Sequence, residues 1–205
     1  MKVVAFAQQK GGCGKSTLAV HMAAEAERAG VPAAILELDR QGTSSMWDER
    51  RGGPPRVTRV DGNNIPKALE RLKARNIGLV VLDCPGSHSP AITPAIKAAD
   101  LVLLPCRPHE VDIAASADTL ASCQRLGKPY AYVLTLCPPT GSRATEARAA
   151  FNVEGHQVAP VDIVTRATMA DAVARGRTAF EIEPRGKAAE EMAALWAWLR
   201  KELEL

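Results

Sequence analysis

Aromatic residues are scarce: 205 residues include 3 Trp, 2 Tyr and 3 Phe, only 4% of the chain. The core must therefore be assembled from Ala, Val, Leu and Ile, which suits helices laid on a parallel sheet. The five cysteines, Cys13, Cys84, Cys106, Cys123 and Cys137, make no C-x-x-C pair. Zinc and iron–sulfur spacings are thus missing, and scattered thiols imply a reducing, cytoplasmic setting. No apolar run approaches the roughly 20 residues that cross a bilayer. Residues 1–9 open a strand rather than a signal peptide, because glycine and charge follow at once. Without repeats, low-complexity tracts or a linker, residues 1–205 read as a single domain. The formal net charge of +3 is too mild to imply a nucleic-acid partner by itself.

Strand and helix patterns alternate along the chain. Residues 3–7 read as a buried strand and 10–15 as a glycine-rich turn. Residues 16–29 read as a helix with Leu18, Met22 and Ala26 on one face, stopped by Gly30. A second strand is predicted at 32–38, a polar loop at 39–45, mostly surface loop at 52–63 and a helix at 64–75. The apolar run 77–82 is the most strand-like in the chain and ends at Asp83. Beyond it come helix 89–98, strand 101–104, helix 110–126, strand 129–136, helix 142–151, a short strand at 157–161, and helices 167–175 and 186–203. This order predicts an α/β fold: a mostly parallel sheet flanked by helices on both faces.

The chemistry concentrates in Lys10-Gly11-Gly12-Cys13-Gly14-Lys15-Ser16-Thr17, between a strand and a helix. Glycines let successive backbone N–H groups turn inward into an anion nest, and the helix adds the positive end of its dipole. Lys15 can reach the β- and γ-phosphates of a nucleoside triphosphate, and the Ser16 hydroxyl can ligate Mg²⁺. This is a P-loop with a departure: Gln9 stands where the usual G-x-x-x-x-G-K-[ST] pattern has its first glycine, and Lys10 follows. Cys13 lies inside the loop, where a helix N-terminus can lower a thiol pKa; the bland alternative is a variable loop position.

K-G-G-x-G-K-S with its leading lysine resembles the deviant Walker A box of the ParA/MinD superfamily. The resemblance implies a P-loop ATPase using ATP and Mg²⁺, in which Lys15 acts in cis and Lys10 reaches the phosphates of the partner in a homodimer. It extends to residues 37–42, where Asp39 and Gln41 match a D-x-D-P-Q-G motif but Glu37 and Arg40 replace its first Asp and its Pro. Asp39 is therefore expected to position water or a magnesium-bound water, with Glu37 unassigned and Arg40 read as a surface residue. Residues 79–86 fit a Walker B motif: Asp83 would hold Mg²⁺ through water, and Gly86 would let backbone approach the γ-phosphate. Residues 103–108 resemble the P-x-x-P segment after the next strand. The base would lie near residues 135–138 and Pro160, although the Asn often found in the first of these loops is missing.

The tail, including Arg175, Arg177, Arg185 and Lys187, resembles that of small ParA-type partition proteins. That likeness implies an ATP dimer that binds DNA nonspecifically, sits on the nucleoid, and segregates or positions a plasmid, chromosome region or protein cargo. A ParB-like or other adaptor would stimulate an otherwise weak ATPase. The alternative is a MinD-like positioning ATPase bound to membrane through residues 195–205. Acids on that helix beside its bases, with Trp196, Leu199 and Leu203 on one face, suit packing on the sheet better. A cluster-carrying reductase of similar fold needs paired cysteines, which these are not.

Overall fold

In a computed structural model, which describes residues 1–86 and 89–205, the apolar runs become six parallel strands. These are β1 (Lys2–Phe6), β2 (Ala33–Glu37), β3 (Arg56–Arg59), β4 (Leu79–Asp83), β5 (Leu101–Cys106) and β6 (Tyr130–Leu134), in the order β3-β2-β4-β1-β5-β6. Helices connect them: α1 (Lys15–Arg28), α2 (Thr43–Arg51), α3 (Ile65–Lys73), α4 (Ile92–Ala98), α5 (Glu110–Ala115), α6 (Ala117–Arg125) and α7 (Arg143–Val153). Three more, α8 (Ala167–Ala174), α9 (Ala179–Ile182) and α10 (Lys187–Glu202), complete the chain. The predicted α/β class holds.

Strand alternation sends neighbouring side chains to opposite faces. Val4 and Phe6 of β1 join Leu18, Met22, Met192, Leu195 and Leu199 on the α1/α10 face. Val3, Ala5 and Ala7 join Ile65, Ile96, Cys123 and Phe151 on the other. Trp196, Leu199 and Leu203 are buried in the first of these layers. The apolar stripe of α10 is thus consumed by the core.

The fold differs from the sequence reading at five elements. Residues 56–59, expected in loop, form edge strand β3: its side chains are mostly exposed, so backbone bonds to β2 rather than an apolar pattern define it. Residues 43–51, partly given to a polar loop, form α2, and the short helix α9 was not foreseen. The expected helix 110–126 breaks at Ser116, whose hydroxyl donates to the Ile113 carbonyl at 2.6 Å and meets the Tyr132 hydroxyl at 2.9 Å. The strand expected at 157–161 is reduced to an isolated bridge at Val158: Ala159 N–H donates to the Tyr132 carbonyl, but the next carbonyl of β6, that of Leu134, is taken by Ile163 N–H instead of Val161, so the ladder does not continue.

Candidate active site

β1 sits where the order of the sheet reverses, with β4 on one side and β5 on the other. Open α/β sheets place ligands in the crevice beyond the strand ends at such a point. The loop leaving β1 supplies the donors. Gly14 caps α1 with φ +91°, a left-handed conformation costly for any residue with a Cβ. The first N–H groups of α1 are left free of helical partners, facing an anion site. Gly86, after β4, closes the other wall. A Cβ there would stand 2.9 Å from Gly11 Cα and 3.1 Å from Lys15 Nζ, so only glycine permits the approach. The resulting cavity of about 350 Å³ is lined by Gly11, Gly12, Lys15 and Ser16 of the loop, by Asp39 and by Gly86. Gln41 and Thr43 complete its wall.

Lys15 is buried, its Nζ donating to the Lys10 carbonyl at 2.9 Å and lying 3.7 Å from Cys13 Sγ. Thr17 lies in the same first turn, and its carbonyl is 2.7 Å from Nδ1 of His21. Nε2 of His21 in turn accepts the Ala179 N–H at 3.0 Å, which sets the ring as the neutral Nδ1–H tautomer. Burial lowers the His21 pKa to about 4, outweighing the Thr17 contact. Burial also pushes the Cys13 thiol up despite the adjacent Lys15 ammonium. This buried, protonated thiol does not match the activated thiol that its place at a helix N-terminus allowed.

The carboxylates divide into different tasks. Asp83 is fully buried; one oxygen accepts the Ser44 hydroxyl at 2.7 Å, while Oδ1 has no partner. Burial raises its pKa to about 6, against the Ser44 hydrogen bond, which favours the anion. A buried carboxylate beside the P-loop serine, with one oxygen orphaned, fits a magnesium-bound water. Asp39 is half-buried at the cavity wall, with Oδ1 accepting the Gln41 N–H at 3.0 Å. Glu37 faces away from that work. Its oxygens accept the N–H groups of Ser44 (2.8 Å) and Ser45 (3.3 Å), the Ser45 hydroxyl, and Arg59 Nε at 3.2 Å. Glu37 therefore anchors the start of α2 and so the Asp39 loop. Arg40 is exposed.

Lys10 does not line the cavity next to its own loop. Its Nζ lies 3.0 Å from Asp112 Oδ1, on α5. Pro160 is exposed and also away from the cavity wall. Nearer the loop is Thr135, whose hydroxyl donates to the Cys13 carbonyl at 2.9 Å. Arg107 escaped the sequence reading: its Nη2 donates to the Gly12 carbonyl at 2.6 Å, and its Nε is buried without a partner. Its place between Pro105 and Pro108, in the recognised segment, was the available signal. Ser44 and Asp112 offered none.

No group of three metal-ligating side chains occurs among the described residues, and their five cysteines are free and buried. No helix among them is long and apolar enough to cross a membrane. Of the tail cations, Arg166 pairs with Glu191 at 2.7 Å and Arg148 with Asp162. Arg175, Arg177, Arg185 and Lys187 have no carboxylate partner among the described residues.

Residues 4–179 match the family model of the CobQ/CobB/MinD/ParA nucleotide binding domain. Maintenance of carboxysome distribution protein A of Gloeobacter kilaueensis is 31% identical over 209 residues, covering 99% of this chain and 94% of that protein. Protein ParA of Rhizobium radiobacter is 33% identical over 122 residues, 58% of this chain and 55% of that protein. The solved structure of Cyanthece apo McdA shares the fold with a TM-score of 0.80 at 14% identity, covering 99% of both chains. The ligands implied by the sequence, ATP and Mg²⁺, agree with this kinship and with the cavity. The chain belongs to the CobQ/CobB/MinD/ParA family of nucleotide-binding domains.

Proposed function

We propose that the chain is an ATP-dependent dimerising switch that hydrolyses ATP and positions a cargo on nucleoid DNA. The observation that carries this is the separation of the two loop lysines: Lys15 lines the phosphate cavity, whereas Lys10 stands outside it, paired with Asp112. A lysine excluded from its own phosphate cavity is suited to complete the site of a second copy. Lys15 and the N–H groups of the loop hold the β- and γ-phosphates, and Pro160 and residues 135–138 border the base. Ser16 and Asp83 hold Mg²⁺, directly and through water respectively, and the ion neutralises phosphate charge. Asp39 orients the attacking water. Lys10 adds a cation where charge develops in the transition state.

The cargo is a plasmid, a chromosome region or a protein assembly. Similarity along nearly the whole chain to a protein named for carboxysome distribution supports the last. A ParB-like or other adaptor stimulates the slow basal hydrolysis and separates the dimer. The MinD-like alternative on a membrane is less well supported, because the apolar face of α10 is spent in the core.

Light scattering with ATP, with a slowly hydrolysed ATP analogue and with ADP tests the switch. Dimers should form with the first two only. Lys10→Ala should abolish them, and Asp39→Ala should accumulate them with ATP unhydrolysed. A chain that stays monomeric with the analogue refutes the proposal.

A further inference from the structure

Two segments far apart in sequence meet at the end of α2. Gly176, in the turn after α8, presses against its last residues: a Cβ there would lie 2.5 Å from Arg51 N and 2.6 Å from the Arg50 carbonyl carbon. The turn is also held by hydrogen bonds. Trp47 Nε1 donates to the Arg177 carbonyl at 2.9 Å, and Arg51 Nη1 to the Gly176 carbonyl at 3.3 Å. Arg51 is spent there. It stacks over the Trp47 ring and pairs with both oxygens of Glu181 at 2.9 Å. With Glu181 neutralised, three exposed arginines remain around the joint: Arg50, Arg175 and Arg177. None has a carboxylate partner among the described residues. Arg175 and Arg177 each sit one Cα step, about 3.8 Å, from Gly176, so all three guanidinium stems rise from one small rigid area. The exposed acids of these elements, Glu49 on α2 and Asp171 on α8, make no ion pair with them.

We infer that Arg50, Arg175 and Arg177 form the surface that grips the phosphate backbone of duplex DNA. The inference rests on the nucleoid reading above and names its contact residues. A DNA strand offers a phosphate every 3.4 Å or so along the axis, and clustered guanidinium groups on a fixed scaffold match that row without reading bases. A membrane surface would need an apolar face beside the charge. The one large exposed apolar side chain on α2 is Met46, and α8 and α9 expose none. The patch is also joined to the nucleotide site by a single short helix. Ser44, in the first turn of α2, bonds Asp83, and Arg50 lies in its last turn. A rearrangement at the magnesium carboxylate therefore has a rigid route to the patch.

The test measures binding of the full chain to a random-sequence duplex, with the slowly hydrolysed analogue, across a salt series. Arg175→Gln with Arg177→Gln, and Arg50→Gln alone, should weaken binding. Each should flatten the log Kd against log salt slope by about 0.9 per arginine removed. Arg→Lys replacements should restore most of the slope. Thermal unfolding and analogue-driven dimerisation should stay unchanged in every variant. If the unmodified chain ignores DNA, the nucleoid reading fails and this one with it. If it binds and the Gln variants bind with an unchanged slope, only the patch assignment fails. Pelleting with anionic phosphatidylserine vesicles that the same variants abolish would overturn DNA in favour of a membrane.

Discussion

Asp112→Asn is the most informative perturbation of the switch. In the free chain Lys10 is held at 3.0 Å by a carboxylate that is 9% exposed, while the lysine side chain itself is 32% exposed. At that separation the gross attraction is large, but desolvation of the acid and screening at the lysine leave about 1–1.5 kcal/mol net. In the proposed dimer Lys10 leaves Asp112 to reach a partner's phosphates, so the pair would tax dimerisation by the fraction of molecules with Lys10 released. Removing about 1.4 kcal/mol raises that fraction tenfold, and a symmetric dimer uses two such lysines. The analogue-bound dimer of Asp112→Asn should therefore have a Kd lower by roughly ten- to a hundredfold. Sedimentation velocity over a concentration series reads this directly. In a Lys10→Ala background the Asn substitution should change nothing, which separates release of the lysine from any effect on α5. An unchanged Kd, or a gain that persists without Lys10, refutes the reasoning.

Three further outcomes are expected. His21 is neutral in the fold, with a pKa lowered to about 4 from 6.5, so the unfolded chain takes up its proton first and stability falls as pH drops from 6.5 towards 4. The chain should lose about 3 kcal/mol relative to His21→Gln over that window in urea titrations; parallel curves would refute it. Asp83 runs the other way: raised to about 6 from 3.8, its buried charge costs about 3 kcal/mol at neutral pH and is relieved as pH falls through 6. Asp83→Asn should raise the melting temperature without nucleotide at pH 7.5 while abolishing the Mg²⁺-dependent gain in ATP affinity; an unchanged melting temperature would contradict the cost. Because the two pH trends oppose each other, each is read as a difference against its own variant. Arg107→Ala should leave the Gly12 carbonyl free to turn inward, raising KM for ATP about tenfold with a smaller effect on kcat, whereas an unchanged KM would mean that the 2.6 Å bond does not shape the loop.

Much of this was legible from local pattern. The strand–loop–helix around residues 10–17, the acid closing the run 79–83 and the amphipathic face of α10 each depend on periodicity or on neighbours a few residues apart. Edge strand β3 was not, because its side chains are mostly exposed and its definition lies in bonds to β2. The exchange of Asp for Glu at position 37 left that residue without an assigned role in the sequence. Only the fold shows Glu37 reaching across to Ser44, Ser45 and Arg59, a task that suits a longer side chain. Sequence by itself placed Lys15 in a glycine-rich turn between a strand and a helix start, the local pattern that suits an anion nest, because that pattern depends only on neighbouring residues. Tertiary structure alone decided where Lys10 rests, which arginines stand free around Gly176 and which oxygen of Asp83 is left unpaired. Those depend on partners tens to more than a hundred residues away, brought together by the strand order, and no local periodicity encodes that order.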